Sequence, residues 1–282
     1  MAMTGDPVKA ALSAEGDELW RAIKSQHPDA LDNASLNRHL NEDMALYIAK
    51  NKHTPAEALG FLAGDVRFKE VYRIKLAIAK NPKCPQRVAL SMIKYLRLFD
   101  LADITRDKRI PSMFRQKIEL TITEKLPAMP EGIKSALAKR ACADIIIKLM
   151  ELGERRVMDS CLESPILTEE HLTKILRLPR TKPVVIRAIA EDAKWSLRYP
   201  IRYALLRNPH TPMEHASRFI EGMKTQDLQD LYDDAKVPDV AKPFIFRELE
   251  GRGEPLETPE EVVYELDEDE DEGLNTKPLG GD

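Results

Sequence analysis

The chain has 282 residues, 43% of them hydrophobic, with a formal net charge of −4, enough for one large folded domain or two of ordinary size. Only 6% of residues are aromatic and only twelve are glycine, which argues against the glycine-rich phosphate loops of nucleotide-binding α/β folds. Three well-separated cysteines (Cys84, Cys142 and Cys161) form no C-x-x-C pair, so neither a disulfide framework nor a zinc ribbon is expected.

The N-terminal MAMTGDPVKAALSAEGDELW has no basic segment leading into an apolar run, and no stretch approaches the ~18 apolar residues of a membrane span. A soluble, cytoplasmic protein is expected. Residues 1–16 read as a flexible N-terminus. A first helix is predicted from Asp17, with ELWRAI carrying Trp20 into the core.

The phrase KNKHTPAEAL at 50–59 predicts a corner between two helices. Asn51 suits a left-handed residue ending the first helix. Thr54 is placed as N-cap, Pro55 as the first helical residue and Glu57 as the partner in a capping box. The following helix begins its apolar stripe with Leu59, Leu62 and Ala63. Val71, Ile74 and Ile78 lead to the next corner, KNPKCPQRVA, and Ala89, Met92, Ile93 and Leu96 follow it at helical spacing. Looser corners are read at Pro111 and Pro130. At Thr168 the corner ESPILTEEHL opens a helix with Leu172, Ile175 and Leu176, which Pro179 ends; KPVVIRAIAEDAKW adds a further helix. RNPHTPMEHA at 207–216 nearly repeats the first phrase, preceded by Ile201, Ala204 and Leu205 and followed by Ala216, Phe219, Ile220 and Met223. DDAKVPDVAK, with Asp234 and Pro238, is the last corner.

The unit is therefore helix, proline-marked corner, helix. A lone pair of this kind buries its apolar face poorly, whereas stacked pairs share a continuous core. LAIAKNPKCPQRVALSMI and YALLRNPHTPMEHASRFI resemble the bacterial HEAT-like repeats of the variant leucine-rich repeat type. The resemblance implies an all-α protein, an α-solenoid of stacked helical hairpins (a HEAT/ARM-like superhelix) over residues 17–250, used for binding. Some members of that family carry a cysteine-rich iron–sulfur segment near the N-terminus; no cysteine precedes Cys84 here, so no cluster is carried over.

From Glu254 onward twelve acidic residues face one lysine, a net of −11; the whole chain being −4, the body carries about +7. Residues 251–282 read as an acidic, mostly disordered tail. Ten Lys or Arg lie in 172–218 against Glu191, Asp192 and Glu214. Arg187, Lys194, Trp195, Arg198, Tyr199 and Arg202 are the candidate binding patch on this stretch.

No catalytic residue is singled out. His210, Glu214 and His215 give H-x-x-x-E-H, one residue off the helical H-x-x-E-H zinc spacing. No nucleophile elbow or phosphate loop is present, and no cofactor or metal is expected. The function expected is a non-enzymatic protein-binding scaffold or adaptor. The alternative is a nucleic-acid-binding module using the basic face at 172–218, shielded by the acidic tail.

Overall fold

A computed structural model describes residues 7–253, and all the regular structure among them is helical. The first half holds α1 (Pro7–Ser13), α2 (Gly16–Lys24), α3 (Pro28–Ser35), α4 (Glu42–Lys50), α5 (Ala56–Gly64), α6 (Tyr72–Ala79), α7 (Gln86–Met92), α8 (Leu98–Arg106) and α9 (Ser112–Lys125). The second holds α10 (Glu131–Ala138), α11 (Ala143–Leu152), α12 (Arg155–Leu162), α13 (Glu169–Arg177), α14 (Pro183–Glu191), α15 (Tyr199–Leu206), α16 (Met213–Glu221), α17 (Thr225–Asp233) and α18 (Lys242–Gly251). Short 3-10 turns at Ile93–Tyr95 and Leu126–Ala128 extend α7 and α9.

The helices are shorter and more numerous than five to seven hairpins would require. The expected flexible N-terminus begins instead as α1, which packs on α3; the acidic tail from Glu254 onward lies outside the described residues.

Packing follows chain order. Helix α1 packs on α3 and α3 on α5, while α2 packs on α4 and α4 on α6. The same next-but-one pairing returns as α10 on α12 on α14, and as α11 on α13 on α15. Helix α9 packs on α11 and joins the halves. The apolar stripes read from the sequence are the core: Leu59 and Leu62, Ile74 and Ile78, Leu172, Ile175 and Leu176, and Ala216, Phe219, Ile220 and Met223 are all buried. No long unbroken helix is needed, because each short helix buries one stripe against two neighbours.

The corners work differently from the sequence expectation. Pro55, Pro85, Pro111, Pro130 and Pro212 stand one residue before their helices, with φ between −52° and −61° and ψ between 133° and 156°. Each ring fixes φ while the carbonyl accepts the first helical bond, as from Leu59, Ala89 and Ala216 N–H. The proline is thus the N-cap, and Thr54 and Thr211 are not. Their hydroxyls turn back and donate to the carbonyls of Ile48 and Leu205, both at 2.6 Å, satisfying orphan acceptors at the end of the preceding helix. Thr181 does the same to Ile175. The expected Thr54–Glu57 capping box is absent; a capping box forms at Thr168, with His171 as its partner. Asn51 is extended, at φ −74° and ψ 128°, not left-handed.

The buried asparagines stitch one corner to an earlier one. Asn81 Nδ2 donates to the carbonyls of Ala49 (2.9 Å) and Asn51 (3.0 Å), and its Oδ1 accepts from Lys83 N–H. Asn208 reaches Leu176 in the same way, and Asn37 reaches Ala11 and Ala14. A second corner type uses aspartate. Asp65, Asp107, Asp192 and Asp234 each accept from the N–H two residues on, and Phe68, Ile110, Trp195 and Val237, three residues on, are buried.

The two halves correspond under a shift of 127 residues. The bounds of α4, α5, α6 and α8 become those of α13, α14, α15 and α17 at both ends. The shift carries Thr54 onto Thr181, Asn81 onto Asn208, and the four corner aspartates pairwise onto one another. It also carries Gln26 (φ 58°), whose left-handed backbone is unusual for a residue with a Cβ, onto Gly153 (φ 77°).

Candidate functional site

Two clefts open on the helical body. The larger, about 870 Å³, lies between α7, the turn after it, α8 and α9. Its floor is Leu96, Leu101 and Ile122, all buried, while Leu90, Met113 and Leu120 are exposed at 37%, 63% and 50%. Three exposed leucine and methionine side chains converging on one groove are an unusual exposure for helices that otherwise hide their apolar stripes. Lys94, Lys117 and Lys125 edge the groove, and no carboxylate lines it. The proline-capped starts of α7 and α9 set its two walls, since Pro85 and Pro111 fix where each helix begins.

The second cleft, about 660 Å³, lies where the corners after α13, α15 and α17 come together. Leu176, Leu178, Tyr203 and Ala204 line it, with Arg177, Arg207, His210 and Lys236 around them. Arg207 is engaged by Asp234, whereas Arg177 and Lys236 are exposed.

The patch read from the sequence does not form as one surface. Trp195 is buried to 3% and its indole N–H donates to the Leu162 carbonyl at 2.9 Å, so the ring belongs to the core. Only its Lys194 neighbour covers it, 4.1 Å above the ring. Tyr199 is half-buried, its hydroxyl bound to Asp227 and to Lys224 N–H. Arg202 is tied to the Ser196 carbonyl and lies near the Phe219 ring. Arg187, Lys194 and Arg198 are exposed, and Arg198 pairs with Glu169 at 3.5 Å. The error has a physical origin: Asp192 starts an aspartate corner whose third residue points inward, as at Phe68. Of the ten basic residues in 172–218, the basic cleft gathers Arg177 and Arg207.

The thiols are not poised for chemistry. Burial pushes Cys84 and Cys161 up to about 12, and it raises Cys142 as well. Glu119, Cys142 and Asp144 bring three donor atoms within 4.8 Å, but this thiol is held in its neutral form. His215 sits beside Arg218 and stacks on Phe219, away from any second histidine of the H-x-x-x-E-H stretch. No helix among the described residues is long and apolar enough to cross a membrane. No family model, curated protein or solved structure matches the chain.

Proposed function

We propose that this chain is an α-solenoid of the HEAT-like kind and acts as a non-enzymatic adaptor, gripping an acidic, amphipathic segment of a partner protein in the α7–α9 cleft. The stacked reading is supported by each helix packing on its neighbour and its next-but-one neighbour in both halves. The single observation behind the binding role is the cleft itself: exposed Leu90, Met113 and Leu120, bordered by three lysines with no carboxylate among them. An amphipathic helix lays apolar residues into such a groove and sets its acidic flank on the rim.

The test is affinity capture with the full chain and two charge variants, read by mass spectrometry. A specific partner is expected to be retained by Arg187→Glu and lost with Leu120→Glu. A partner held equally by both variants contradicts the assignment of the cleft.

A second reading rests on the basic cleft. Arg177, Arg207, His210 and Lys236 around an apolar floor suit a nucleic-acid backbone. Affinity for single-stranded nucleic acid falling steeply with salt, and reduced by Arg177→Glu, would favour it over the adaptor role.

A further inference from the structure

The 127-residue correspondence gives the α7–α9 cleft a counterpart between α16 and α18, and the two have diverged. Lys125 becomes Arg252, whose guanidinium donates to the carbonyls of Met223 (2.8 Å) and Glu221 (3.1 Å) and to Thr225 Oγ1 (3.3 Å) while Glu248 holds it at 2.7 Å. This side chain spans the gap that stays open in the first half. Two further positions change charge, Lys94 to Glu221 and Thr121 to Glu248. The second position is closed and lined with acid; the first is open and lined with lysine.

The chain itself supplies an acidic segment of the matching kind. Residues 259–268 read PEEVVYELDE: Val262, Val263 and Leu266 at helical spacing, among Glu260, Glu261, Glu265, Asp267 and Glu268. We propose that this segment of a second copy docks in the α7–α9 cleft, its apolar residues on Leu90, Met113 and Leu120 and its carboxylates on Lys94, Lys117 and Lys125. The inference rests on the cleft being a peptide-docking surface, as proposed above. Charge selects the open cleft over its acidic counterpart. Reach selects the second copy. Nine helices separate α9 from α18, roughly four or five layers, or about 40 Å at 8–10 Å per layer. The nine residue steps from Gly253 to Val262 span only about 30 Å when fully extended. In the free protein the tail of one copy thereby occupies the site that a partner would take on another.

The experiment uses the full chain and a fluorescein-labelled synthetic peptide of residues 257–270, followed by anisotropy, with sedimentation velocity on the chain alone. The peptide is expected to bind, and Leu120→Glu to weaken it at least tenfold. Lys117→Glu, an exposed change that leaves the core intact, is expected to weaken it several-fold. The average mass of the wild-type chain is expected to rise with concentration, and that rise to disappear in Val263→Asp/Leu266→Asp. Peptide binding indifferent to both cleft variants overturns the proposal. So does a concentration-independent mass, which together with tighter peptide binding by the tail variant would assign the segment to its own chain's cleft. If the peptide fails to bind while partner capture remains sensitive to Leu120→Glu, the tail proposal falls and the adaptor role stands.

Discussion

The Tyr72 hydroxyl donates to the Asp100 carboxylate, 28 residues on, and accepts from Arg97 N–H; Tyr199 repeats this with Asp227 and Lys224 N–H. Every member of one trio lies 127 residues from its counterpart. In both, the cation at the N-terminus of the next helix lies over the phenol ring, Arg97 at 4.6 Å and Lys224 at 5.7 Å. Each trio pins one helix to the helix two places on, α6 to α8 and α15 to α17. Burial, then the carboxylate, raises the pKa of both tyrosines, which keeps the phenols protonated as donors. Tyr72→Phe and Tyr199→Phe are each expected to cost about 1 kcal/mol in urea unfolding. The sites are far apart, so the double variant is expected to lose the sum of the two.

The stitching asparagines are expected to matter more. Asn81→Ala removes two donors from buried carbonyls and an acceptor from a turn N–H, so a loss of about 2–4 kcal/mol is expected. Asn208→Ala, with one donor bond, is expected to lose about 1–3 kcal/mol. Denaturant midpoints with unchanged m-values would check both.

The buried thiols give a pH-dependent outcome. Raised folded-state values mean that Cys84 and Cys161 favour folding while neutral in both states, and that this contribution is lost as pH rises from the ordinary thiol range toward about 12. Their alkylation by iodoacetamide at pH 8 is therefore expected to be negligible in the folded protein and rapid in urea. Fast modification of Cys161 under native conditions would mean that α12 opens readily.

Aspartate corners respond in the opposite direction. The hydrogen bonds from Arg67 and Arg109 lead in holding Asp65 and Asp107 below the usual carboxylate range. A depressed carboxylate stabilises the fold above its unfolded-state pKa, and that contribution is lost as pH falls through the folded value. Stability is expected to decline below about pH 4, and less so in Asp65→Asn/Asp107→Asn than in the wild type.

Much of the helical core was legible because apolar spacing on a short helix leaves few alternatives: the stripes after Pro85, Thr168 and Pro212 are largely buried as read. The corners were located correctly and their chemistry misassigned. A threonine before a proline looks like an N-cap, yet the proline takes that position, and the hydroxyl serves the helix behind it. The halves were missed for a related reason. KNKHTPAEAL and RNPHTPMEHA share letters but are not equivalent positions; the true counterpart of RNPHTPMEHA is KNPKCPQRVA, 127 residues earlier. The recurring D-x-[K/R]-apolar signal at Asp65, Asp107, Asp192 and Asp234 carried that register and would also have shown Trp195 to be a core residue. The α7–α9 cleft was not legible, since Leu90, Met113 and Leu120 become a surface only once α7 and α9 pack side by side.

The stacked arrangement is tested most directly by the distance between its two ends. Lys24 on α2 and Asp230 on α17 are both exposed, and spin labels at Lys24→Cys and Asp230→Cys can be measured by pulsed electron resonance. A compact domain of this size has a radius of gyration near 18 Å and a diameter of about 46 Å. Seven or so layers of helices place the labels more than about 50 Å apart. A distribution centred beyond 50 Å is the expected result; one centred below about 40 Å would contradict the stack and the adaptor built on it.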